Sequence, residues 1–182
     1  MAEQMSIVDR LLQDHQEVRQ AFAKITAADS DERWALFMDL MNDLVRHEVA
    51  EEEIVYPVVR QEIKDGAMLA SERVGEESKA EELLAQMEKK GRGDDGFTEN
   101  LGRLKADVLA HAEAEELTVF PALAAVLNQE RLVQLGDRFA KAKMLAPTHP
   151  HPNAPDSPPG NLVLGPVAAM ADRLRDAIRK AT

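Results

Sequence analysis

Two stretches of this 182-residue chain repeat one pattern of metal-capable side chains. Residues 47–57 read His-Glu-Val-Ala-Glu-Glu-Glu-Ile-Val-Tyr-Pro, and residues 111–121 read His-Ala-Glu-Ala-Glu-Glu-Leu-Thr-Val-Phe-Pro. His, Ala, Glu, Glu, Val and Pro recur at the same offsets, and Tyr56 answers Phe120. His47 and Glu51 are four apart, as are His111 and Glu115. At about 100° per residue of helix, each pair lies about 40° apart on one face. An imidazole nitrogen and a carboxylate on one helix face are a natural ligand pair for a hard or borderline cation.

The same face is apolar. Leu44, His47, Glu51 and Ile54 follow one another on it, as do Leu104, Val108, His111, Glu115 and Val119. His15 falls in line between Leu11, Leu12 and Val18. Burying an unpaired carboxylate costs several kcal/mol, so inward glutamates need a compensating cation. The plainer alternative is a set of surface His/Glu pairs worth about 0.3 kcal/mol each. Two pairs in register, with the same trailing proline and a third histidine on an apolar stripe, favour a metal cluster. Cysteine is absent, which removes thiolate sites, disulfides and a thiol nucleophile. His and carboxylate donors inside a bundle suit iron or manganese better than zinc. Ferritin-like bundles use Glu-x-x-His, but the positions three before these histidines are Leu12, Leu44 and Val108.

The elements that must carry these residues are helical. Ser6, with Asp9 three residues on, marks the start of a first helix. Asp29 or Ser30 caps a second helix, with Phe37, Leu40, Leu44, Ile54 and Val58 inward, which runs toward Gly66. A third helix spans about 67–90, and the glycine-rich segment 91–96 is a loop. A fourth runs about 98–128, and a shorter helix at about 130–144 continues it. Six prolines between 147 and 160 describe an extended strap, and 167–180 reads as a short terminal helix. The expected fold is all-α: an up-down four-helix bundle over 1–145, then the Pro-rich strap and C-terminal helix over 146–182. The two copies of the motif, 64 residues apart, fit a duplicated helical hairpin.

Composition narrows the function. The 22 Lys+Arg against 33 Asp+Glu give a net charge of −11, which argues against nucleic acid and anionic membrane partners. No apolar run is long enough to span a bilayer and no signal peptide is evident, so a cytoplasmic protein is expected.

The order His-x-x-x-Glu, twice, resembles the hemerythrin-like family, whose module is the HHE cation-binding domain. The matching residues are Asp14-His15-x-x-Val18, His47-x-x-x-Glu51-Glu52 with Tyr56-Pro57, and His111-x-x-x-Glu115-Glu116 with Phe120-Pro121. The resemblance covers about residues 6–145, and the tail is similar to those of actinobacterial members. It implies two iron ions, oxo- and carboxylate-bridged, between four helices. Carried over, Glu51 and Glu115 bridge, while His15, His47 and His111 are terminal ligands. The family usually has histidine in the third helix, and this chain has none there. Glu77 lies 34 residues before His111, as His15 lies 32 before His47, so Glu77 is the expected replacement. Glu76 is the first alternative, and Glu72 and Glu81 follow. Arg73, a cation, cannot ligate.

Tyr56, nine residues after His47, points away from the site on a straight helix and reads as a packing aromatic. Pro57 must kink that helix and can swing the phenol inward, which keeps Tyr56 as an alternative ligand. Glu52 and Glu116 read as outer or surface groups, His149 and His151 as solvated strap residues, and Trp34 as a packing anchor. Few histidines and many carboxylates stabilise ferric iron and disfavour reversible oxygen carriage. The expected activity is catalase- or peroxidase-like redox turnover of hydrogen peroxide, with nitric oxide or oxygen next, by a monomer or homodimer. The alternatives are an iron or oxygen sensor, a storage protein without turnover, and a metal-free interaction bundle.

Overall fold

The structure is a computed structural model that describes residues 5–150, the side chain of Asp31 excepted. The helices are α1 (Ile7–Ala27), α2 (Ser30–Ala50), a π-helical turn (Glu51–Val55), α3 (Tyr56–Glu62), α4 (Gly66–Lys90), α5 (Phe97–Leu117), α6 (Val119–Val126) and α7 (Gln129–Leu145). No strand occurs among the described residues. No described helix is long and apolar enough to cross a membrane. The terminal helix expected at 167–180, His151 and the strap beyond residue 150 lie outside the described residues.

Local signals start and stop these helices as the residue types require. Ser6 Oγ accepts from the Asp9 N–H at 3.2 Å and donates to the Asp9 carboxylate at 2.7 Å, satisfying one orphan donor of the first turn. The Asp29 carboxylate accepts from the Glu32 N–H and caps α2. Gly91 ends α4 with φ of 74°, a backbone state that a residue without Cβ adopts without strain.

The core is two apolar bodies separated by a polar layer. In α1, Leu11 belongs to one body and Val18 to the other, with His15 between. In α2 and the π turn, Leu44 and Ile54 flank His47 and Glu51. In α4, Val74 and Ala80 flank Glu77; in α5 and α6, Val108 and Val119 flank His111 and Glu115. Each long helix therefore crosses the layer once, in alternating direction, as an up-down bundle requires. Fully buried Phe22, Phe37 and Phe139 contribute about 1.5–3 kcal/mol each. Trp34 completes an aromatic cluster with Phe37 and Phe97, with ring centroids 5.3 and 5.8 Å away.

Three details differ from the periodicity. Leu12 is 42% exposed, because a stripe through Leu11, His15, Val18 and Phe22 leaves the next residue about 100° off the buried face. The two prolines break their helices in different ways. Ahead of Pro57 the backbone loosens into the π turn, and the Tyr56 N–H donates to Glu51 O, five residues back. Ahead of Pro121 the chain breaks at Thr118, with φ of −123° and ψ of −54°, and α6 starts afresh. Finally, α7 does not continue the fourth helix. Leu127 and Asn128 are extended, Asn128 caps the new helix, and α7 packs on α1, α2 and the π turn.

Gly136 lets α7 lie that close. A Cβ there would collide with Met5 O and lie 3.0 Å from Ser6 C. The neighbours are backbone and cannot rotate away. Gly136→Ala is expected to lower unfolding free energy by about 1–3 kcal/mol in urea titrations. Unchanged stability contradicts this packing.

Candidate metal centre

Six side chains from α1, α2, the π turn, α4 and α5 converge in the polar layer. His15, His47, Glu51 and Glu115 present ligand atoms within 4.8 Å of one another, and so do Glu51, Glu77 and His111. Glu51 belongs to both groups. His47 Nε2 lies 3.2 Å from Glu51 Oε2, while His15 Nε2 and His111 Nε2 each lie 3.4 Å from Glu115 Oε2. His111 Nε2 is 3.7 Å from Glu77 Oε1. One group holds two imidazoles and two carboxylates, the other one imidazole and two carboxylates, and the two share Glu51.

These groups are not satisfied by the protein. His47 Nε2, His111 Nε2, both Glu51 oxygens, Glu77 Oε2 and Glu115 Oε2 are buried without a hydrogen-bond partner. The carboxylates are 0–2% exposed. So many orphaned donors and acceptors in one place are rare in folded chains and mark a site built for a ligand. Burial, and then the negative charge of neighbouring glutamates, pushes the Glu51 and Glu77 carboxyls well above the ordinary range. Burial acts the same way on Glu115, but the close approach of His15, whose Nε2 lies 3.4 Å away, and then of His111 and His47 outweighs it and holds that carboxyl low.

Tyr56 is fully buried and its hydroxyl faces the centre, 2.7 Å from Glu77 Oε1 and 2.9 Å from Glu115 Oε1. This corrects the outward orientation expected of a straight helix: the π turn rotates the chain before Tyr56 reaches the layer. The internal repeat explains its partner. Phe120 stacks on His15 at 5.3 Å, and Tyr56 meets Glu77, the residue that takes the place of His15 in the second hairpin. Burial, and then the charges of Glu77, Glu51 and Glu115, push the phenol well above its ordinary value.

The outward nitrogens of the histidines are also held. His15 Nδ1 meets Glu116 at 2.9 Å, His47 Nδ1 meets Asp14 at 2.9 Å and His111 Nδ1 meets Glu76 at 3.0 Å. Such partners fix the tautomer and leave Nε2 free as a donor atom. Each carboxylate is in turn paired with a cation: Glu116 with Arg19, Glu76 with Arg73 and Asp14 with Lys143. Glu76 thus sits behind His111 instead of in the centre. Arg73, set aside as a non-ligand, is the residue that holds Glu76. Asp14, Glu76 and Glu116 each adjoin an inward residue in the chain, which is the signal that could have found them. Lys143 has no such signal. His149 lies apart, 53% exposed at its side chain and paired with Glu88.

A cavity of about 20 Å³ opens onto the layer between α1, α2, α4 and α5. Val18, Leu44, Ala80, Val108 and Ala112 line it, with His15, His47, His111, Glu48, Glu76, Glu77 and Asp107. Its volume is that of a space with room for a water-sized molecule.

Comparison with known proteins shows what family the chain is similar to. A family model described as the hemerythrin HHE cation-binding domain matches residues 6–123. A hemerythrin-like protein of Schizosaccharomyces pombe is 30% identical over 178 residues, covering 96% of this chain and 87% of that one. A protein of Nostoc named DNA nickase is 29% identical over 140 residues; the match takes in 76% of this chain and 39% of that longer one. Among solved structures, an HHE cation-binding domain-containing protein from Mycobacterium kansasii shares the fold, with a TM-score of 0.68 and 23% identity. That match covers 77% of this chain and 86% of the other.

The raised Glu77 carboxyl has a consequence for stability. A carboxyl whose folded pKa exceeds its unfolded one favours folding at low pH and costs stability as pH rises. Glu77→Gln removes that cost and keeps an acceptor for Tyr56. The metal-free variant is expected to be about 1–3 kcal/mol more stable than the parent at pH 7. The gain should vanish below 4.5, the ordinary carboxyl value. Denaturant titrations at both pH values check it; a variant less stable at pH 7 contradicts it.

Proposed function

Because the chain belongs to the hemerythrin HHE cation-binding domain family, we propose that the polar layer holds two iron ions and turns over small oxidants, hydrogen peroxide first. Nitric oxide and oxygen are the next substrates. The observation that carries this reading is the convergence of orphaned, buried ligand atoms beside a cavity that admits little more than one water-sized molecule. His15, His47 and His111 would supply neutral nitrogen donors, and Glu51, Glu77 and Glu115 anionic oxygens. The two groups of ligand atoms match two cations better than one. When bound, the iron pair supplies Lewis acidity and electrons at a position open to a small molecule.

The remaining chemistry belongs to the chain. Val18, Leu44, Ala80, Val108 and Ala112 give the cavity apolar walls that exclude bulky organic peroxides. Tyr56 holds its proton against the Glu77 and Glu115 carboxylates. Its oxygen is thereby placed as a further donor, or as a proton source at the centre. Asp14, Glu76 and Glu116 keep the imidazoles oriented with Nε2 inward. Three glutamates against three histidines favour the ferric state, which supports redox turnover over reversible oxygen carriage.

Iron-loaded protein is expected to release oxygen from hydrogen peroxide at an oxygen electrode and to leave tert-butyl hydroperoxide unconsumed. Iron-loaded protein that evolves no oxygen and, with an added reductant, consumes no hydrogen peroxide contradicts turnover and favours an iron or oxygen sensor or a storage protein. His47→Ala and His111→Ala should lose the iron and its charge-transfer absorbance, while His149→Ala keeps both. Iron lost from His149→Ala but kept in His47→Ala contradicts the ligand set. Glu77→His should retain iron and raise its reduction potential, since one anionic ligand is removed. An unchanged potential and iron content would exclude Glu77 as a ligand.

A further inference from the structure

Each inward histidine is backed by a carboxylate and then a cation, but the three chains are built differently. Behind His111, Glu76 and Arg73 lie three apart on one helix, and behind His15, Arg19 and Glu116 join α1 to α5. Behind His47, the cation comes from α7, which lies wholly beyond residues 6–123. Its reach is specific. Gly136 brings α7 against the backbone of Met5 and Ser6. Phe139, nearly a turn further on, stands edge-on to the His47 ring at 5.7 Å and 80°. Lys143, one turn beyond that, places Nζ 2.7 Å from Asp14 Oδ2. His47 Nδ1 lies 2.9 Å from the same oxygen.

We propose that Lys143 is a positioning residue through which α7 sets the electron affinity of the two-histidine cation position, by competing with His47 for Asp14 Oδ2. The inference rests on the metal reading above. A carboxylate that accepts the Nδ1–H strengthens its imidazole as a donor, because the ring takes on anionic character as the proton is drawn away. An ammonium on the same oxygen draws charge out of that bond and restrains the effect. Without Lys143, Asp14 pulls harder on the His47 proton, and one nearby positive charge is gone. Both changes favour ferric over ferrous iron at the position defined by His15 and His47, so its one-electron potential falls. The position beside His111 has its own chain and should move little.

Potentiometric titration of full-length, iron-loaded protein tests this, with iron content and circular dichroism measured for every sample. Lys143→Met is expected to lower the potential of one of the two irons, and Lys143→Arg to restore the parent value. Asp137→Asn removes an exposed ion pair between α1 and α7, to Arg10 at 3.4 Å, and should leave both potentials unchanged. If Lys143→Met sheds iron, Lys143→Arg that holds two irons at the parent potentials supports the inference. Parent protein loaded with two irons, with Lys143→Met at unchanged potentials, overturns the inference alone. So does Asp137→Asn shifting the potential as far as Lys143→Met, or Lys143→Arg failing to restore it. Parent protein that takes up no metal overturns the metal reading and this inference together.

Discussion

Glu51, Glu77 and Glu115 stand almost wholly out of water in the middle of an apolar bundle, facing three imidazoles. Leaving such charges unpaired costs several kcal/mol each, and a domain's net stability is only about 5–15 kcal/mol. The fold tolerates them through the surrounding helices. Two apolar bodies, one at each end, clamp the layer between them. In the metal-free state, burial and the neighbouring glutamate charges raise the Glu51 and Glu77 carboxyls above their ordinary range and so favour the protonated forms over the charged ones. Cations that replace those protons would turn the least stable part of the bundle into its strongest cross-link, which ties metal binding to folding and to pH.

Outside the layer, charge is paired in succession. Asp14, Glu76 and Glu116 face the histidines, and Lys143, Arg73 and Arg19 face those carboxylates. The alternation continues the charge compensation toward the surface and holds each imidazole in one orientation. The arrangement also separates roles between neighbours in the chain: Asp14 beside His15, Glu76 beside Glu77, Glu116 beside Glu115. In each pair one residue faces the centre and the other faces a histidine of another helix, so the pairs lock helices together as well as orienting ligand atoms.

How much of this is legible along the chain follows from the range of each interaction. The repeated His-x-x-x-Glu spacing declares its own face, because a helix of 3.6 residues per turn leaves no other place for both groups. The up-down order of helices and the position of Glu77 follow from that repeat and from where apolar residues flank it. Tyr56 is different. Pro57 and Pro121 occupy equivalent positions, yet one strand of the repeat answers with a π turn and the other with a break at Thr118. Periodicity on a straight helix cannot distinguish these responses, so the inward phenol is visible only in three dimensions. Lys143 and Asp14 are 129 residues apart and share no pattern. Their contact depends on how α7 docks, which Gly136 and the extended Leu127–Asn128 link decide and helix period does not.

The central claim is that the unpartnered atoms of this layer belong to two cations. Anomalous scattering collected on both sides of the iron absorption edge, from crystals of iron-loaded protein, tests it most directly. Two iron peaks are expected, one against His15 and His47 and one against His111 and Glu77, with Glu51 and Glu115 between them. A single peak, no peak in the layer, or iron bound instead at His149 would contradict it.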